Sequence, residues 1–225
     1  MQVDVKYRPS YSLAIVALGP SESIRTEAGA MVSMSAGMKM ETKARGGIMK
    51  SLARAALGGE SFFMNTYTAP EGGGEITLAP TLPGDVVVTE MKGNGLLVQS
   101  GSYLASSDGV EVDTKWGGAK TFLGGEGLFM LRVSGTGTLI MASYGAIHTI
   151  KLAQGQQYIV DTGHLVAFDE GISYEVKTVG GLKSTVFSGE GLVVQLTGPG
   201  TVALQTRSER AFLSWLIPKI PTKSS

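Results

Sequence analysis

Three glutamates stand after paired small residues in this chain: Glu60 after Gly58-Gly59, Glu126 after Gly124-Gly125 and Glu190 after Ser188-Gly189. Carboxylates gathered at close range can exchange protons with a substrate or hold a hard cation. Each can instead accept backbone N–H bonds at its own tight turn, and a feature that repeats with the fold points first to a repeated structural cause. Gly59, Glu60, Gly125, Glu126, Gly189 and Glu190 are therefore read as repeated structural turns. No catalytic residue, no metal ligand and no cofactor is assigned. The two histidines, His148 and His164, lie on different predicted strands, and no Gly-x-Ser-x-Gly elbow opens a helix to supply a nucleophile. Cysteine is absent, which excludes thiol catalysis, thiolate zinc sites and disulfides. Gly72-Gly73-Gly74 precedes a strand pattern, not a helix, so it gains no helix dipole for phosphate. The chain is read as non-enzymatic, with a hydrolase built on His164 or the glutamates as the minor alternative.

Binding chemistry is better represented. Lys43, Arg45, Lys50 and Arg54 lie between Glu41 and Glu60 with no acid among them. Met49, Leu52 and Ala56 fall at helical spacing, which predicts a short helical insertion with a cationic and an apolar side. Lys43, Arg45, Met49, Lys50 and Arg54 form a candidate surface for an anionic membrane or a protein partner; the competing reading packs the helix on its own unit. A second amphipathic helix is predicted from Glu209 to a stop at Pro218, with Phe212, Leu213, Leu216 and Ile217 on one side and Trp215 near its end. Self-packing and an oligomer contact both suit this tail, and self-packing is preferred. Lysine plus arginine equals aspartate plus glutamate, 19 each. Without a global positive field, no nucleic-acid partner is expected. The N-terminus lacks a basic and apolar secretory signal, which predicts a cytoplasmic protein with at most a peripheral membrane contact.

The elements that would carry these residues recur. Gly29 and Gly37, Gly101 and Gly109, and Gly163 and Gly171 bracket three apolar stretches of matching length. Each is followed by one of the glutamate turns and then by a glycine that opens a strand: Gly74, Gly137 and Gly200. Three ordered anchors in three copies predict an internal repeat. The units are 1–80 (with the basic insertion at 43–58), 81–144 and 145–208, followed by a helical tail at 209–225. Leu18 and Leu152 stand eleven residues before Gly29 and Gly163. Leu82 is assigned the matching place in the middle unit, with Met91–Leu97 as an added loop. The 32 glycines are about twice the number that average usage of roughly 7% would give, as suits many tight turns between short strands. Units of this size have marginal cores alone, so three are expected to share one. The fold class is all-β: a pseudo-threefold assembly of sandwiches or short rolls, whose remaining edges predict a homo-oligomer.

Several strings resemble one family. Gly58–Met64, Pro83–Val88, Gly95–Ala105 and Gln205–Ser208 are similar to its motifs, and Val160-Asp161-Thr162-Gly163-His164-Leu165-Val166-Ala167-Phe168-Asp169 is similar to its hallmark. The chain resembles the altered-inheritance-of-mitochondria family numbered twenty-four, in its uncharacterised prokaryotic branch, over nearly its whole length. The resemblance implies three repeats of a short double-stranded β-helix type related to the tryptophan RNA-binding attenuator protein. It implies no enzymatic activity and no cofactor. Eukaryotic members are linked to mitochondrial inner-membrane organisation. The expected function is thus a self-associating scaffold linked to membrane organisation; the alternative is a small-ligand or lipid-binding protein with a cavity between repeats.

Overall fold

A computed structural model describes residues 1–44, 63–113, 122–123, 128–178 and 192–221. The protein is built of strands, with one α-helix near its C-terminus among the described residues. The first stretch holds β1 (Gln2–Lys6), β2 (Leu13–Leu18), β3 (Ser23–Glu27), β4 (Met31–Met34), β5 (Lys39–Ala44), β6 (Phe63–Thr68) and β7 (Gly74–Leu78). The second holds β8 (Val86–Lys92), β9 (Leu96–Gln99), β10 (Tyr103–Ser107), β11 (Val110–Asp113), β12 (Phe122–Leu123) and β13 (Leu128–Ala142). The third holds β14 (Ile147–Leu152), β15 (Gln157–Asp161), β16 (Leu165–Asp169), β17 (Ser173–Thr178), β18 (Leu192–Thr197) and β19 (Gly200–Gln205), before helix α1 (Glu209–Leu216).

The strand partners follow one scheme, all antiparallel. β2 and β4 flank β7, and β3 and β5 flank β6. β14 and β16 flank β19, and β15 and β17 flank β18. β8 and β10 flank the second half of β13, and β9 and β11 its first half. β13 does alone what two strands and a turn do elsewhere. It changes sheet at Gly135 and Gly137, whose φ values of 104° and 138° suit glycine, and a Cβ at Gly135 would lie 2.4 Å from the Gly109 carbonyl oxygen. Two junctions then join the stretches: β10 against β3, and β16 against β9.

Gly74 and Gly200, which open strands, and Gly137, expected to open one but lying inside β13, each face a buried apolar residue across the ladder: Gly74 faces Leu18, Gly137 faces Met91 and Gly200 faces Leu152. Met91, not Leu82, thus fills the middle position, and Met91–Leu97 is no added loop. Met91 is the last residue but one of a seven-residue strand and Leu96-Leu97 begin the next, with only Gly93-Asn94-Gly95 turning between them. Methionine's adaptable side chain fills the place that leucine takes elsewhere.

Alternation along the strands sets the core. β2 reads Leu-Ala-Ile-Val-Ala-Leu, and its Ala14, Val16 and Leu18 are buried on one face. The buried residues form three clusters, each drawing on neighbouring stretches. Leu104 and Ile140 pack with Ala14, Val16 and Ile76; Met64 and Val166 pack with Val98 and Leu131; Leu97 and Met130 pack with Phe168 and Val202. Each junction therefore buries side chains from two stretches, at ~1.5–3 kcal/mol for a fully covered leucine or phenylalanine.

Candidate functional site

The ends of β3, β9 and β15 deliver three turns to one open cleft of about 850 Å³. Glu27 and Ala28 come from the first, Gln99–Ser102 from the second, and Thr162 and Gly163 from the third. Helix α1 and the turn after it supply a further wall through Arg210, Leu213 and Ile217. The third turn is tied to β19 and, through Gln205, to Tyr144. The Gln205 amide donates from Nε2 to the Gly163 carbonyl at 2.9 Å, and its Oε1 accepts the Tyr144 N–H at 2.9 Å. Asp161 accepts the Gly163 N–H at 2.7 Å, closing the short turn that follows β15. His164 Nδ1 lies 2.7 Å from the Gln205 carbonyl oxygen, which can only accept, so Nδ1 carries the proton. His164 is not among the residues lining the cleft. Hydroxyls of Ser100, Ser102, Ser143 and Thr162, the Glu27 and Glu209 carboxylates and apolar Leu213 make the lining suited to hydrogen-bonded binding. Among the described residues, no three His, Asp or Glu side chains are grouped to hold a metal ion.

Helix α1 begins at Ser208, whose Oγ accepts the Ala211 N–H at 3.4 Å, and Glu209 sits favourably in its first turn. It ends before Ile217-Pro218-Lys219, a 3₁₀ turn. Phe212 holds it down by an edge contact with Tyr144 at 6.1 Å between ring centres. None of its residues is buried. Trp215, Ile217 and Ile220 are 59, 60 and 52% exposed, and the Lys219 ammonium sits 5.2 Å above the Trp215 ring. The tail lies against its own chain through Phe212 and the cleft wall, while Trp215, Ile217 and Ile220 are exposed.

Residues 3–207 match the family model described as Mitochondrial biogenesis AIM24. The chain belongs to this family. It is 28% identical over 233 residues to an uncharacterized protein of Streptococcus pyogenes serotype M6, covering 100% of this chain and 93% of that protein. A crystal structure of another Streptococcus pyogenes protein is similar with a TM-score of 0.80 and 25% identity, over 97% of this chain and 99% of the other. The family resemblance carried by Val160–Asp169 thus holds over nearly the whole chain. No helix among the described residues is long and apolar enough to cross a membrane.

Of the AIM24-family chain's expected site residues, Lys43 lies on β5 opposite Met64. Arg45, Met49, Lys50 and Arg54 lie outside the described residues, as do Gly59, Glu60, Gly125, Glu126, Gly189 and Glu190. His148 is exposed on β14 opposite Leu204. One anchor was missed. Asp85 is almost fully buried and takes a bidentate pair from Arg8, at 2.8 and 2.9 Å. It also accepts from Ser12 Oγ at 3.1 Å and the Val86 N–H at 2.8 Å. Burial pushes the Asp85 carboxyl up, but Arg8, Val86 and Ser12 outweigh it and hold the carboxyl below its ordinary range. The available signal was Pro83-Gly84-Asp85: a Cβ at Gly84 would lie 1.6 Å from the Ser143 carbonyl oxygen, so only glycine lets the two backbones meet beside the aspartate.

Proposed function

We propose that this chain is a non-enzymatic, self-associating scaffold made of three copies of one β-module, of the type seen in the tryptophan RNA-binding attenuator protein. The copies span 1–80, 81–144 and 145–208, and the scaffold docks on an anionic membrane surface. The shared pairing scheme and the equivalent facing of Gly74, Gly137 and Gly200 support the three-copy reading. The observation that carries the docking is the exposure of Trp215, Ile217 and Ile220 within six residues, with Lys219 over the Trp215 ring. Tryptophan and aliphatic side chains enter the interface while cations meet the headgroups. A single eight-residue helix binds weakly, so display on several subunits is part of the proposal. The basic segment with Lys43, Arg45, Lys50 and Arg54 would add charge. Co-sedimentation with vesicles containing anionic lipid is the test. The triple change Trp215→Ala, Ile217→Ala, Ile220→Ala should weaken binding about tenfold or more, since three apolar contacts are lost. Equal sedimentation of parent and variant, or none for the parent, would remove the membrane role. The alternative is small-ligand or lipid binding in the cleft, favoured by its volume and by Leu213 and Ile217 on its wall. Mass spectrometry of lipid extracted from the purified protein would support that reading if one species recurs at a fixed ratio.

A further inference from the structure

We propose that β4 of one chain pairs antiparallel with β15 of a second copy, placing Ser33 opposite Val160, Met34 opposite Ile159 and Ser35 opposite Tyr158. This deepens the self-association reading above and names its surface and register.

The two inner junctions supply the template. At the first, Ala105 faces Thr26, Ser106 faces Arg25 and Ser107 faces Ile24. At the second, Ala167 faces Val98, Phe168 faces Leu97 and Asp169 faces Leu96. Counted from Gly29, Gly101 and Gly163, the registers are identical. Ser33 holds the place of Ala105 and Ala167, and Val160 that of Thr26 and Val98. The ladders also slip at one shared place: between Met31 and Ser33, Tyr103 and Ala105, and Leu165 and Ala167. β10 and β16 carry this bulge and pair on both edges. β4 carries it and pairs only with β7 among the described strands, while β15 pairs only with β18.

Exposure marks the same two edges. Leu104 and Val166 are 0% exposed at the inner junctions, whereas Val32, in the equivalent place, is 59% exposed. Leu97 is 1% exposed and Ile159 63%; Phe168 is 2% exposed and Met34 41%. The four-stranded sheet β1-β2-β7-β4 stops at one edge and the three-stranded sheet β15-β18-β17 at the other. Joined, they give the order found across each inner junction, with β1 added outside. Neither strand has the lysine or proline that usually guards an exposed edge. Among the described residues nothing pairs with either edge, which leaves both for a second copy. The two edges differ, so the contact is head-to-tail and repeats into a ring where the rotation closes or a filament where it does not.

Because the chain has no cysteine, introduced thiols report contacts unambiguously. Met34→Cys and Ile159→Cys both change solvent-exposed residues, and opposed residues across such a pair lie within reach of a short thiol crosslinker. The two variants, one carrying a size tag, are co-expressed and crosslinked. A covalent tagged–untagged dimer from the mixture, absent from either variant alone, is the expected result. Ile159→Lys should reduce the mass measured by light scattering to that of one chain. The register is overturned by a dimer from Met34→Cys alone, by an intrachain crosslink in a monomeric Met34→Cys/Ile159→Cys double variant, or by an unchanged mass for Ile159→Lys. A parent protein that is an oligomer but yields no mixed crosslink overturns this inference and leaves self-association standing. A monomeric parent overturns both.

Discussion

The two inner junctions share a register but hold together by different chemistry. Where β16 meets β9, Phe168 faces Leu97 and both are buried, with Arg132 and Glu170 paired at 2.7 Å nearer the surface. Where β10 meets β3, the place of Leu97 is taken by Arg25. Its guanidinium donates from Nη2 to the carbonyls of Ser107 and Asp108, at 3.2 and 2.9 Å, and to that of Val110. Its Nε finds no hydrogen-bond partner among the described residues, and the Asp108 carboxylate lies 3.8 Å away. The backbone ladder sets the alignment, and side chains of opposite character then stabilise it. An apolar pair gains by leaving water, whereas the arginine ties the far loop to the strand at the cost of desolvating its charge.

The largest effect should come from the apolar junction. Leu97→Ala removes a fully covered side chain among Phe168, Met130 and Val202, and should cost about 3 kcal/mol in chemical denaturation. A loss below about 1 kcal/mol would mean that the second junction depends on its Arg132–Glu170 pair instead, although that pair is a third exposed and of a kind that contributes little. A smaller effect is expected from Arg25→Leu. The substitution copies the residue found at the other junction and recovers some apolar contact, but it leaves the carbonyls of Ser107, Asp108 and Val110 without their donor. A cost of about 2 kcal/mol follows. Hydrogen exchange should quicken around 107–110 and stay unchanged at the second junction. A stabilised Arg25→Leu would show that the two chemistries are interchangeable and that the arginine serves another purpose.

The difference between the junctions also explains what the sequence revealed. Glycines at fixed spacing were legible because turns and close backbone approaches admit little else; which apolar residues Gly74, Gly137 and Gly200 face came only with the strand register. The middle partner was misassigned because leucine was sought where Met91 stands, ten residues before Gly101, whereas Leu18 and Leu152 stand eleven before Gly29 and Gly163. Spacing marks positions but not their surroundings: Val32 and Ile159 look like core residues by spacing, yet they are 59 and 63% exposed, on strands with one described edge partner each. Arg8 and Asp85 are 77 residues apart, and no local pattern joins them. The candidate surface at Lys43–Arg54 came from charge and from the helical spacing of Met49, Leu52 and Ala56, whereas the exposure of Trp215 required knowing which side of the predicted helix the protein covers.

The Asp85 anchor sharpens the comparison through pH. Its carboxyl titrates lower in the folded protein than in the unfolded chain, so its contribution is present above the ordinary aspartate value of about 3.9 and is lost as pH falls through the folded value. Burial opposes the lowering, so only the excess of Arg8, Val86 and Ser12 over desolvation counts, and the effect should be the smallest of the three. Thermal melts from neutral pH into acid should fall more steeply for the parent than for Asp85→Asn, which keeps the shape but has no charge to lose. Leu97→Ala and Arg25→Leu should keep the parent's slope, because neither a leucine–phenylalanine contact nor an arginine bound to carbonyls has an acid to protonate. If Arg25→Leu flattens the slope, the Asp108 carboxylate 3.8 Å from Arg25 is part of the clamp, and the first junction is an ion pair as well as a set of carbonyl bonds.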